Sequence, residues 1–142
     1  MEDMTALTAG HRILVVEDEF LIAQMVKDML AELECVCVGP FVTMESGLAA
    51  ASNVECDAAI INLVIQGQMA YPVVEELSAR GIPFCFASGV PPRGIEEKWR
   101  ASPFISKPYV VAEIRDFLTR VLANRPPAGG GSQPAGRDGA TS

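Results

Sequence analysis

The stretch "AAIINLVIQG", residues 58–67, decides the fold. Its apolar run carries no period-two polar position, so it reads as a strand buried on both faces, the kind found in parallel sheets. The run ends on an amide, Asn62, directly ahead of a loop closed by Gly67. Runs of the same kind recur at RILVV (12–16), CVCVG (35–39), PFCFA (83–87) and PFIS (103–106), and the strand itself extends over 57–63.

Between these runs, apolar residues fall three and four apart, the helical period. Phe20, Leu21, Ile22, Met25, Val26, Met29, Leu30 and Leu33 give the first helix a broad apolar face. Thr43 is a cap for a second helix over 44–52, and a third over 71–80 stops at Gly81. The last helix, over 110–124, follows Pro108 and carries Val111, Ile114, Leu118 and Val121 on one side. A fourth, over 95–100 in PPRGIEEKWR, is expected to be short and mobile because two prolines and an early glycine precede it. Trp99 in that segment is expected to cover the core. Alternating strands and helices require a mostly parallel sheet covered on both faces. The architecture expected is a flavodoxin-like (βα)5 doubly wound α/β fold, with strand order 2-1-3-4-5.

With 142 residues, 49% of them apolar, the chain can bury one core but hardly two. The expected organisation is a flexible N-terminus (1–10), one domain (11–124), and a disordered Pro/Gly/Ser-rich tail (125–142). A net charge of −7 argues against nucleic acid or an anionic membrane as a partner. No apolar run reaches the length of a membrane span and no secretory signal is visible, so a cytoplasmic home is expected. Cys35, Cys37, Cys56 and Cys85 sit in or beside apolar runs without a CxxC pair, so buried thiols are expected rather than metal ligands. His11, the single histidine, precedes the first strand and is expected to be solvated.

In such sheets, ligands bind beyond the carboxyl ends of the strands, where the strand order reverses. That rim collects Glu17 and Asp18 after strand one, Asn62 at the end of strand three, Ser88 after strand four, and Lys107-Pro108 after strand five. Taken singly, each has a plainer reading. Acids ahead of a helix act as caps, Ser88 is a turn hydroxyl, and a lysine beside carboxylates is a structural ion pair.

Taken in order, "ILVVEDE", the strand-three end followed by "QGQMAYPV", "FASG" and "FISKP" resemble the receiver domain of two-component response regulators over residues 11–124. The resemblance implies that Glu17 and Asp18 match the acidic pair that helps hold Mg2+. It likewise implies that Ser88 and Lys107 bind phosphoryl oxygens, and that Ser88 and Phe104 take the switch positions. It implies as partners a histidine kinase or phosphotransfer protein docking near helix one, a downstream protein target, and a possible second copy as a homodimer.

The position matching the phosphoacceptor aspartate is Asn62. Asp57 cannot replace it, because five residues of extended strand place it about 16 Å away at the other end of the sheet. A carboxylate oxygen attacks phosphorus as an anion, whereas a primary amide is neutral and its nitrogen lone pair is delocalised. No acyl phosphate is expected at Asn62. Counting Glu17, Asp18 and Lys107, the rim carries −1 where an aspartate at 62 would make it −2, so Mg2+ affinity should fall. Weak binding through Asp18, Asn62 and the Val64 carbonyl is expected, with Glu17 acting partly through water.

The reading is therefore a single-domain response regulator receiver in phosphorelay signalling, not an enzyme. It acts by protein contact, as a pseudo-receiver or a non-phosphorylatable variant. The alternative is an unrelated flavodoxin-like metal-binding domain or small enzyme, against which stands the lack of any GxGxxG or Walker-type phosphate loop.

Overall fold

A computed structural model describes residues 8–89, 94–123 and 125–128. Its strands are β1 (Arg12–Val16), β2 (Val36–Phe41), β3 (Ala58–Asn62), β4 (Val64–Ile65), β5 (Gln68–Met69), β6 (Phe84–Ser88) and β7 (Phe104–Ser106). Its helices are α1 (Phe20–Glu32), α2 (Met44–Asn53), α3 (Tyr71–Ala79) and α4 (Val111–Leu122). The main sheet runs β2-β1-β3-β6-β7, all parallel, which is the expected 2-1-3-4-5 order with the β4–β5 hairpin inserted after the third strand.

Strand alternation splits the core in two. Ile13, Val15, Ile60, Cys85 and Ile105 pack against Val26 and Leu30 of α1 and Ile114 and Phe117 of α4. Leu14, Val16, Ile61, Phe84 and Phe86 pack against α2, α3 and Trp99. Both faces of β3 are thus covered, which explains its unbroken apolar run. Truncating Phe86 to Ala would cost about 3–5 kcal/mol in lost burial and cavity. Gly47 lets α2 sit close on β1, since a Cβ there would stand 2.7 Å from Val16 Cγ1. Thr43 caps α2 as expected. Its hydroxyl accepts from the Ser46 N–H at 3.0 Å, and its own N–H donates to Ser46 Oγ at 3.3 Å.

Several expectations need correcting. The expected fourth helix is absent from the described residues: 95–100 holds only a 3-10 turn (Glu97–Trp99). That turn is anchored rather than loose, with Trp99 buried edge-on against Phe84 and Phe86 and the Glu96 N–H donating to the Tyr71 hydroxyl at 3.0 Å. The loop after β3 is a hairpin whose two central residues, Gln66 and Gly67, have φ of 51° and 80°. Both are positive, the geometry of a type I′ turn, which glycine adopts without strain. The α1 face is narrower than its apolar content implied. Ala23, Val26 and Leu30 form the buried stripe, and the helical period turns Phe20, Leu21 and Met25 away from it into solvent.

His11, finally, is buried. Residues 8–10 and Arg125 meet around it. The Thr8 hydroxyl donates to the Leu33 carbonyl at 2.8 Å and the Gly10 N–H to the Glu34 carbonyl at 2.8 Å. The His11 ring lies 3.3 Å from the Thr8 carbonyl and 2.9 Å from that of Arg125. Asp57 accepts the N–H of Arg12 on one oxygen and that of Ala128 on the other, both at 2.7 Å. Residues 8–10 and 125–128 therefore belong to the folded unit. The remainder of the expected flexible N-terminus (1–7) and tail (129–142), and Asn124 at the end of the expected last helix, lie outside the described residues.

Candidate functional site

Sheet register assembles the rim. Val16 pairs with Ile61, Asn62 with Ala87, and Ser88 with Ser106, so Glu17, Asn62, Ser88 and Lys107 arrive at one level along neighbouring strands. The Lys107 N–H donates to the Ser88 carbonyl at 2.8 Å and holds the two strand ends together. All the rim residues singled out in the sequence lie on this edge. Asp57 is at the opposite edge.

Glu17 is completely buried and meets four donors. The Glu19 N–H and the Asn62 Nδ2 reach its Oε2 at 3.2 and 3.1 Å. Lys107 Nζ lies 3.2 and 3.3 Å from its two oxygens, and the Tyr109 hydroxyl donates to Oε1 at 3.2 Å. Burial pushes the Glu17 carboxyl above its ordinary value, while the Glu19 N–H, the Lys107 ammonium and the Tyr109 hydroxyl oppose the rise. Burial, then the charge of Glu17, drives the Tyr109 phenol far up, so it stays protonated and serves as a donor. Lys107 also pairs with the exposed Glu19 at 3.2 Å.

Asn62 lies at the centre. Its Nδ2 donates to Glu17 Oε2 at 3.1 Å and to Asp18 Oδ1 at 3.0 Å, and the other Asp18 oxygen accepts the Gln66 N–H at 2.9 Å. The opposite amide orientation would set a carbonyl oxygen against two carboxylates, so the nitrogen must point this way.

This donor set, as arranged, does not fit a divalent cation. The carboxylate oxygens that would face the ion already accept N–H bonds, and the amide aims nitrogen rather than oxygen between them. Among the described residues no group of three or more His, Cys, Asp or Glu is placed to hold a metal. The four cysteines are free thiols, and none belongs to a metal-holding cluster among the described residues. Burial raises each of their pKa values, that of Cys35 to about 11.

Ser88 is buried beside the rim, and Phe104 is half-buried against the cluster containing Phe86 and Trp99. Val64, on the hairpin, is exposed. Sequence reasoning missed Tyr109, one residue beyond the Lys-Pro pair, and missed the hairpin that lays the Gln66 N–H against Asp18.

No protein-family model matches the chain. None of the curated proteins matches either. Solved structures do. SdrG from Sphingomonas melonis Fr1 is 36% identical, over 82% of this chain and 99% of that one, with a TM-score of 0.71. A BeF3-activated conformation of SdrG, from Pseudomonas melonis Fr1, is 35% identical over 87% and 100%, with a TM-score of 0.67. The receiver domain of the sensor histidine kinase PA1611 from Pseudomonas aeruginosa PAO1, with magnesium in its active-site cleft, shares the fold at 21% identity, over 82% and 100%, with a TM-score of 0.71. The rim, the strand order and the likeness to SdrG together make this chain a member of the response regulator receiver domains, which are signalling modules.

Proposed function

We propose that this receiver signals by protein contact and is not phosphorylated at the acceptor position. The observation that carries this is Asn62 Nδ2 held between Glu17 and Asp18. The acceptor position presents a neutral amide whose donors are engaged, with no anionic oxygen to attack phosphorus. Ser88, Lys107 and Phe104 keep the family's phosphoryl-binding and switch positions, but Lys107 is tied to Glu17 and Glu19 instead of standing open to a phosphoryl group.

Magnesium binding through Asp18, the Asn62 carbonyl and the Val64 carbonyl requires the amide to turn over and give up two hydrogen bonds, which sets the affinity low. The partners are a histidine kinase or phosphotransfer protein and a downstream protein target, met in the cytoplasm. Phe20, Leu21 and Met25 support the first, because they expose apolar surface at the start of α1, directly after the rim acids. No helix among the described residues is long and apolar enough to cross a membrane.

Incubation with acetyl phosphate and Mg2+, followed by intact mass measurement, tests the reading. Asn62→Asp should gain one phosphoryl group and the unaltered protein none. Phosphorylation of the unaltered protein at residue 62 would overturn it. If Asn62→Asp also fails to react, the rim does not work as a phosphoryl-accepting site even with an aspartate in place, and the amide is not what prevents phosphorylation.

A further inference from the structure

We propose that the Asn62 side-chain amide is a built-in, uncharged substitute for a counter-ion: its N–H donors fill the place of a divalent ion between Glu17 and Asp18, so the rim is held closed without metal. The geometry is specific. One nitrogen lies 3.1 Å from a Glu17 oxygen and 3.0 Å from an Asp18 oxygen, so its two N–H groups bridge two carboxylates on adjacent residues of one loop. Two carboxylates brought together repel unless positive charge or donors stand between them. Here the need is met by side chains of the protein itself.

The remaining valences are closed as well. Lys107 and Tyr109 take the outer Glu17 oxygen, and the Gln66 N–H takes the outer Asp18 oxygen. Tyr109 is thereby a positioning residue, since its hydroxyl orients Glu17 toward the amide. The hairpin turn at Gln66 and Gly67 does the same for Asp18 through the backbone. The surface that the rim offers to partners is then independent of divalent ions. That last consequence rests on the contact-acting reading above; the metal independence of the rim does not.

The test is thermal unfolding in chelator and in millimolar MgCl2, at matched ionic strength so that screening cannot mimic binding. The unaltered protein should shift by less than about 1 °C between the two conditions. Asn62→Asp sets a third carboxylate among the others. It should melt lower in chelator and regain on the order of 5 °C or more with MgCl2.

Asn62→Ala removes the donors without adding charge, and keeps the test decisive if the aspartate variant fails to fold in chelator. It should also be less stable in chelator and recover in MgCl2 by more than the unaltered protein does. An unaltered protein stabilised by MgCl2 as much as Asn62→Asp would overturn the proposal. So would an Asn62→Ala protein equal to the unaltered one in chelator. Neither result depends on phosphorylation, so failure here and failure of the acetyl phosphate test are told apart.

Discussion

Two carboxylates tie this molecule together at opposite edges of the same sheet, in different ways. Asp57, at the base, accepts backbone N–H groups of Arg12 and Ala128, both at 2.7 Å. Glu17, at the rim, accepts one backbone N–H and three side-chain donors, Asn62, Lys107 and Tyr109, at 3.1 to 3.3 Å. Backbone donors come with the fold and hold one geometry. Side-chain donors can be exchanged by mutation, or displaced by a ligand, while the backbone stays in place. The base is therefore a fastening and the rim a site, although both are built around a single acid.

The contrast breaks most severely at Lys107. Lys107→Met would leave the fully buried Glu17 without its counter-charge, and urea denaturation should show a loss of about 3–5 kcal/mol. A loss below about 0.5 kcal/mol would mean that the rim is not held by buried charge. Tyr109→Phe removes one hydrogen bond to the same carboxylate and should lower stability by about 1.5–3 kcal/mol. Its effect should largely vanish in a Glu17→Gln background, and full additivity would contradict direct coupling.

Asp57→Ala should cost less, about 1–2 kcal/mol, because the freed N–H groups at this partly exposed position can turn to water. Amide hydrogen exchange should quicken at Ala128 and Arg12 while the rim stays unchanged. Loss of protection at Gln66 or Lys107 would show that the two edges are not independent.

The smallest effect concerns pH. Because the folded-state pKa of Glu17 is raised, its contribution to stability is fully present below the ordinary value of 4.5 and is lost as pH rises through the folded value. Lys107, Tyr109, Asn62 and the Glu19 N–H face the group. The stability of the unaltered protein relative to Glu17→Gln should therefore grow as pH falls toward 4.5. A difference that is flat or shrinks on acidification would reverse the sign.

The sheet was legible because parallel strands buried on both faces leave apolar runs that chance seldom produces, and the rim was legible because its polar residues end those runs. What could not be read has physical reasons. A two-residue strand such as Val64–Ile65 has no periodicity to detect. The α1 surface was misjudged because eight apolar residues fit several helical faces, and only the packed sheet selects the one carrying Ala23, Val26 and Leu30. His11, Thr8 and Arg125 meet through backbone carbonyls across the whole chain, a contact that leaves no trace in residue type. Tyr109 left a weak trace, a phenol directly after Lys-Pro. The direction of the Asn62 amide left none, since it follows from where two acids lie in space.

That direction carries the account, and amide NMR in the presence of beryllofluoride and Mg2+ examines it most directly, because beryllium needs an anionic carboxylate oxygen to complete its coordination. The backbone signals of Ser88, Phe104 and Lys107 should stay in place in the unaltered protein and move in Asn62→Asp. Saturable shifts of those three signals in the unaltered protein would contradict it.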